Sequence, residues 1–304
     1  MTTAKPILVG VDGSAGSYNA VRWAAVDAAL RHSPLWLVAI YAKPFDVFRS
    51  ASSAEIYIGE QEVAGGRLLR EATDLAHSAS ERLGEVGEVT VQTTLLGGRP
   101  APLLLDLAQD ARMLVVGSRG LGELTGGIVG SVSSAVAAHA PCPVVVVKGL
   151  PEPEKPAADG PVIVGVDGTP TSEPAIAAAM EEASLRQADV TAVHAWTDVD
   201  LSSTTFGDRE TCLPVNWSAV EAQEHVALAE QMAGWQEQFP EVGIRRVVVQ
   251  DRPVRELAAI SNDAQLLVVG SRGRGGFKGM LLGSTSRALL HLVDCPLMIV
   301  RAPE

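Results

Sequence analysis

Aliphatic runs alternate with amphipathic stretches along the first half of the chain. The runs Ile7–Asp12 and Leu35–Tyr41 are largely apolar, which is typical of strands buried on both faces of a parallel sheet. Between them, Ser17–His32 carries alanine and valine at helical spacing. Strands that alternate with helices predict an α/β protein whose parallel strands are joined by right-handed crossovers.

The same alternation continues to residue 148. It predicts three further helices and three further strands, namely helices Glu60–Leu83, Pro102–Gln109 and Ser131–His139, and strands Thr90–Leu96, Met113–Val116 and Val144–Lys148. Two segments that follow the second strand of each half, Phe45–Gly59 and Val199–Ser218, differ from each other and are predicted as loops.

The second half of the chain repeats the first. "VGVDGS" at residues 9–14 recurs as "VGVDGT" at an offset of 155, and "LVVGSRG" at 114–120 recurs at an offset of 153. The stretch Lys148–Pro161 between the copies contains four prolines, which favours a stiff, extended linker. We therefore predict two tandem, doubly wound α/β domains, residues 1–149 and 161–304, joined by a linker over residues 150–160.

Composition narrows the function classes. The formal net charge is −12, whereas nucleic-acid binders usually carry a basic patch. No apolar run is long enough to span a membrane, and the apolar N-terminal run is too short for a signal peptide. Three cysteines with no paired spacing fit a reducing compartment. We expect a cytoplasmic protein that neither binds nucleic acid nor inserts into a membrane.

Two glycine-rich stretches, residues 116–131 and 269–284, follow the fourth strand of each copy and lead into a helix. Glycine lets backbone N–H groups approach a ligand, and a helix N-terminus adds unpaired donors, so each stretch predicts an anion site. Asp12 and Asp167 end the first strands at the same edge of the sheet, where ligands of such folds bind. The alternative phosphate and nucleophile motifs, GxxxxGK[ST], GxGxxG after the first strand and GxSxG, are absent.

These motifs resemble the universal stress protein family. The similarity is to the ATP-binding branch of this family, in the tandem form common in actinobacteria. It rests on "VGVDGS" and "VGVDGT", on "PCPVVVV", and on the spacing Gly-x2-Gly-x9-Gly-Ser in both copies. The resemblance covers nearly the whole chain. It implies two five-stranded sheets of strand order 3-2-1-4-5, a Rossmann-like fold of the adenine nucleotide alpha-hydrolase type, binding one ATP per domain.

The resemblance also implies which residues hold the nucleotide. Asp12 and Asp167 would contact the ribose side, and main-chain groups near Ile40 and Ala195 would contact the adenine edge. The phosphates would lie against residues of the glycine stretches, namely Gly117, Gly120, Gly130, Ser131 and Val132 in the first copy and Gly270, Gly273, Gly283, Ser284 and Thr285 in the second. For Arg119 and Arg272, contact with phosphate and surface ion pairing both remain open. Magnesium would accompany the phosphates with few protein ligands, since the six histidines show no ligand spacing.

The two glycine stretches differ in charge. Residues 117–131 carry Arg119 and Glu123 and are neutral, whereas residues 270–284 carry Arg272, Arg274 and Lys278, a charge of +3. We therefore predict tighter and more salt-dependent ATP binding at the second site.

The favoured function is an ATP-binding stress-response regulator, because no evident catalytic base accompanies the motifs. The alternatives are a slow ATPase, an adenylate-transferring relative, and a sensor of another adenine nucleotide such as cyclic AMP. The last strands of the two copies, Val144–Lys148 and Leu297–Arg301, are predicted to pack into an intrachain pseudo-dimer, with a further homodimer left open. Cys142 and Cys295 are expected to be packing residues, and Cys212 the most reactive thiol.

Overall fold

The computed structural model describes residues 4–43, 51–82, 84, 89–120, 129–149, 160–196, 216–250, 252–273 and 281–302. The chain divides into two compact units. Unit 1 comprises Met1–Pro156 and Pro296–Arg301, and unit 2 comprises Ala157–Cys295 and Ala302–Glu304. Of the predicted linker only Gly160 is among the described residues, so the domain boundaries drawn from the sequence stay a prediction.

Ten strands lie in the described ranges. They are β1 Ile7–Val11, β2 Leu35–Tyr41, β3 Val91–Gly97, β4 Met113–Gly117, β5 Val144–Val147, β6 Val162–Val166, β7 Val190–Trp196, β8 Ile244–Gln250, β9 Leu266–Gly270 and β10 Leu297–Val300. The central strands of both copies are apolar at nearly every position and buried, as the continuous aliphatic runs predict.

Within each copy, helices separate the consecutive strands. They are α1 Ala15–Leu30, α2 Ala51–Glu81, α3 Pro100–Leu107, α4 Ser131–His139, α5 Glu173–Arg186, α6 Trp217–Gln231, α7 Trp235–Gln238, α8 Pro253–Ile260 and α9 Ser284–Leu292. The helix α2 begins nine residues earlier than predicted, so the C-terminal part of the predicted loop Phe45–Gly59 is helical. Alanine, glutamate and isoleucine over residues 51–58 continue the helix, and Gly59 does not end it.

The sheet of unit 1 has the strand order β3-β2-β1-β4-β5, all parallel, with β10 antiparallel to β5. The register places Val11 opposite Ala39 and Val9 opposite Val115. The predicted pairing of the last strands of the two copies is therefore present, between β5 and β10 inside unit 1. In this sheet the carboxyl ends of β2, β1 and β4 are adjacent at one edge.

Unit 2 repeats the arrangement with the order β9-β6-β7-β8, again parallel. Val166 lies opposite His194, the same register as Val11 with Ala39 in unit 1. The α/β class with two tandem, doubly wound units is confirmed. No helix in the described part of the chain has the length and apolar character needed to cross a membrane.

Cys142 and Cys295 occupy matched positions before β5 and β10, and both are free thiols. Burial raises the pKa of each thiol from its ordinary value to about 11, which keeps them protonated and therefore weakly nucleophilic. Cys212 lies outside the described residues, and its greater reactivity stays a prediction.

This shift predicts slow alkylation of both thiols in the native protein. At pH 8 we expect iodoacetamide to modify Cys142 and Cys295 at least tenfold more slowly than in the urea-unfolded chain, because fewer thiolates form. Peptide mapping by mass spectrometry separates the three cysteines and measures each rate. Equal rates in the native and unfolded chains would contradict the raised pKa, and raising the pH towards 11 should accelerate the native reaction.

Candidate functional site

A cavity of about 370 Å³ lies at the carboxyl ends of β1, β2 and β4 in unit 1. Its size falls in the range of small-molecule sites. Sixteen residues line it, from the strands β1, β2 and β4 and from the loops and helices beside their carboxyl ends. They are Gly10, Val11, Asp12, Ser17, Val38, Ile40, Pro100, Leu104, Val116, Gly117, Arg119, Gly120, Gly130, Ser131, Val132 and Ser133.

A matching cavity of about 420 Å³ lies in unit 2. Its sixteen lining residues are the repeat counterparts of the first set, namely Gly165, Val166, Asp167, Ser172, Val193, Ala195, Pro253, Leu257, Val269, Gly270, Arg272, Gly273, Gly283, Ser284, Thr285 and Ser286. Fourteen of the sixteen positions carry the same residue in both cavities. The two differences are Ile40 against Ala195 and Val132 against Thr285.

All sixteen residues predicted from the sequence line these cavities, eight in each. The fold therefore brings together residues from the first, second and fourth strands that are far apart along the chain. Their contact with a nucleotide stays a prediction. The apolar lining, including Val38 and Leu104, is not predicted by the sequence motifs. These residues are identical in the two copies, Val38 with Val193 and Leu104 with Leu257. That identity is the sequence signal that could have indicated the apolar lining.

The apolar wall of each cavity is formed by β2, β4 and α3 in unit 1 and by their counterparts in unit 2. Gly10 allows the wall to approach β1, since a Cβ there would lie 3.2 Å from Leu104 Cδ1 and 3.4 Å from Val116 Cγ1. The proline that opens α3, Pro100, replaces an N–H that would otherwise be unpaired. The wall can cover a flat, apolar group, and its residues from β2, Val38 and Ile40, lie on the β2 side of Asp12.

Each aspartate divides its two carboxylate oxygens between the turn and the cavity. Asp12 Oδ1 accepts hydrogen bonds from the N–H and the hydroxyl of Ser14, at 3.0 and 2.6 Å. Asp167 Oδ1 accepts from the N–H and hydroxyl of Thr169 and from the Ser172 hydroxyl, at 2.9, 2.7 and 2.7 Å. These bonds hold the turn that leads into the next helix.

The other oxygen of each aspartate faces the glycine stretch. A Cβ on Gly120 would lie 2.6 Å from Asp12 Oδ2, and a Cβ on Gly273 would lie 3.0 Å from Asp167 Oδ2. Asp167 Oδ2 is buried and has no hydrogen-bond partner among the described residues. A buried carboxylate oxygen without a donor is costly, so this atom is an acceptor available to a ligand hydroxyl.

The ends of each glycine stretch are held together by the backbone. The N–H of Gly130 donates to Ser118 O at 2.7 Å, and that of Gly283 donates to Ser271 O at the same distance. The helix that follows is tied to the strand, because the Ser133 and Ser286 hydroxyls donate to the carbonyls of the fourth-strand glycines at 2.6 Å.

Glycines, and not serines, cap these two nine-residue helices. Gly130 and Gly283 are the N-cap residues and have no side chain to offer, so Ser131 and Ser284 are the first helical residues. The hydroxyls of these two serines therefore do not act as the N-caps. The unpaired N–H groups of the first turn and the positive end of the helix dipole favour an anion at this end of the cavity.

The predicted charge difference between the glycine stretches falls mostly on residues outside the described part of the chain. Arg119 and Arg272 line their cavities, whereas Glu123, Arg274 and Lys278 are not described. The unequal affinity inferred from charge therefore stays a prediction. Among the described residues no group of three or more histidine, cysteine or acidic side chains could hold a metal ion.

The fold and the cavities define a tandem α/β protein with a ligand-sized cavity at the carboxyl ends of the parallel strands in each unit. A family model, that of the Universal stress protein family, matches residues 3–148 and 160–301. A universal stress protein of Mycobacterium bovis is 41% identical over 300 residues, which cover 97% of this chain and 96% of that protein. Another, from Mycobacterium tuberculosis, is 40% identical over 299 residues with the same coverage.

The crystal structure of a universal stress protein from Archaeoglobus fulgidus aligns with 98% of both chains, at a TM-score of 0.68 and 18% identity. This likeness shows the shared fold. The chain belongs to the universal stress protein family, in its tandem form, and the resemblance seen in the sequence is confirmed.

Proposed function

We propose that each cavity binds one adenine nucleotide, ATP, and that the protein acts as a stress-response regulator through the occupancy of these two sites. One observation carries the proposal. Across three adjacent strands of unit 1, β2, β1 and β4, the cavity presents the apolar residues of β2, a carboxylate and a helix N-terminus, in that order. Base, ribose and phosphates follow the same order in a nucleotide, and unit 2 repeats it.

The chemistry of the three parts fits this order. The apolar wall covers the base, and the free oxygen of the aspartate accepts a hydrogen bond from a ribose hydroxyl. The unpaired N–H groups of the helix bind phosphate oxygens, and the glycines leave room for them beside the aspartate. The arginine in each lining adds positive charge, and magnesium would come with the phosphates.

A regulatory role is favoured over a dedicated enzyme. Among the described lining residues, the ionisable side chains of each cavity are one aspartate and one arginine. In our proposal the aspartate is occupied by the turn and by ribose, which leaves it no role as a base beside the terminal phosphate. Hydrolysis would then be slow or absent, and the protein would act in the cytoplasm, where it meets ATP.

The test is the nucleotide content of the purified protein. The full chain is denatured in acid, and the released nucleotides are identified and quantified by mass spectrometry against the protein concentration. We expect ATP at close to two molecules per chain, either as purified or after incubation with excess ATP and removal of free ligand. The variant Asp12→Asn/Asp167→Asn, handled in parallel, should retain much less nucleotide, which separates ATP held in the cavities from carry-over.

The other outcomes decide between the alternatives. Steady conversion of bound ATP to ADP would favour a slow ATPase, and preferential retention of cyclic AMP from an equimolar mixture would favour a cyclic nucleotide sensor. No retained nucleotide, together with no binding by calorimetry, would contradict the proposal and leave the glycine stretches a structural role.

A further inference from the structure

The two cavities differ at the end where the proposed function places the base. Ile40 lines the first cavity and Ala195 the second, while the neighbouring apolar residues, Val38 and Leu104, have identical counterparts. The side chain of alanine lacks three of the carbon atoms of isoleucine. The second cavity is also larger, about 420 Å³ against about 370 Å³.

The strand register puts this position beside the aspartate. Since Val11 lies opposite Ala39, the next residues along the two strands are Asp12 and Ile40. In unit 2 the same step from Val166 and His194 leads to Asp167 and Ala195. A ribose held by the aspartate therefore places its base towards β2 or β7, with the position of Ile40 or Ala195 next to it.

We propose that Ile40 and Ala195 set the size of base that each site accepts, so that the second site takes adenine nucleotides enlarged at N6 and the first site excludes them. This inference rests on the proposed function. The N6 group lies on the edge of adenine farthest from the ribose, so a group added there extends into the base end of the cavity, where unit 2 carries Ala195 in place of Ile40. An added group there would overlap the Ile40 side chain in unit 1, and overlap in a packed wall is unfavourable. The site of unit 2 thus has a broader ligand class than that of unit 1.

The test compares N6-benzyl-ATP with ATP by isothermal titration calorimetry on the full chain. In the wild type we expect ATP to bind at two sites and N6-benzyl-ATP to bind well at the second site alone. At the first site the affinity for the analogue, relative to that for ATP, should be at least tenfold lower. Ile40→Ala should strengthen analogue binding at the first site at least tenfold relative to ATP. Ala195→Ile should weaken it at the second site by a similar factor.

Ile56→Ala is the matched control, because Ile56 is exposed on α2 and lies outside both cavities. It should leave the analogue-to-ATP ratio unchanged. Two equal analogue sites in the wild type, or no gain in Ile40→Ala, would overturn the inference while leaving ATP binding intact. If Ala195→Ile fails to fold, the gain in Ile40→Ala still decides. Absence of ATP binding at either site would contradict the proposed function itself and this inference with it.

Discussion

Replacing Gly117 by alanine is expected to destabilise the first copy by about 3 kcal/mol, the upper end of the usual cost of overpacking. A Cβ at this position would lie 2.5 Å from the carbonyl carbon of Gly16 and 2.7 Å from the backbone nitrogen of Ser17. Both are backbone atoms in the first turn of α1 and cannot rotate away. The glycine is therefore required by the packing of β4 against α1.

The matched change in the second copy, Gly270→Ala, should cost less than about 1 kcal/mol. Its Cβ would lie 3.1 Å from Arg272 O, and the next neighbour, Thr171 O, would be 3.8 Å away. Thr171 stands where the first copy has Gly16, so the close approach of two glycines occurs in the first copy alone.

Native-state hydrogen exchange followed by mass spectrometry measures this difference, because it reports the opening free energy of each segment separately. Peptides from α1 and β4 should exchange faster in Gly117→Ala, whereas peptides from α5 and β9 should change little in Gly270→Ala. Equal effects of the two variants would contradict the packing argument. Loss of nucleotide in a Gly117 variant would thus reflect misfolding as much as a lost phosphate contact. Substitutions of the two aspartates are the better probes of nucleotide binding.

Replacing Asp12 or Asp167 by asparagine should weaken ATP binding at the corresponding site by about 10- to 150-fold. This range corresponds to the roughly 1.5–3 kcal/mol that a hydrogen bond to a charged group contributes. Asparagine keeps an oxygen in place of Oδ1 for the turn, so the loss reports on Oδ2. We expect the larger loss at Asp167, since its Oδ2 is buried whereas Asp12 is exposed.

Calorimetric titration of each single variant gives the affinity of both sites in the full chain. Ser14→Ala and Thr169→Ala are the controls, because each removes a hydroxyl that holds Oδ1 but leaves Oδ2 in place. Ser14→Ala should lower the stability of α1 by about 1 kcal/mol through loss of its N-cap, with ATP affinity kept within about threefold. Unchanged affinity in both asparagine variants would show that the carboxylates serve only the turns.

The start of α2 and the cavity linings show which structural features local sequence patterns predict and which they do not. Continuous aliphatic runs predicted the buried strands with errors of about one residue, because a strand buried on both faces must be apolar throughout. The helix α2 starts nine residues before its predicted start. Divergence between the copies defines the predicted loop, and divergence does not exclude a helix. The glycine spacing, the aspartates at the strand ends and the family resemblance together indicate eight lining residues per cavity, but Val38, Pro100 and Leu104 carry no local signal of a site.

The sequence by itself determined the tandem repeat, the α/β class, the family and the residues at the strand ends, because each of these depends on periodicity or on spacing along the chain. The tertiary structure decided which oxygen of Asp12 and Asp167 remains free, why Gly117 and Gly270 differ, and that Ile40 and Ala195 lie beside the aspartates. These properties depend on distances between atoms on neighbouring strands and helices, which are fixed only when the sheet and the helices that cover it pack together.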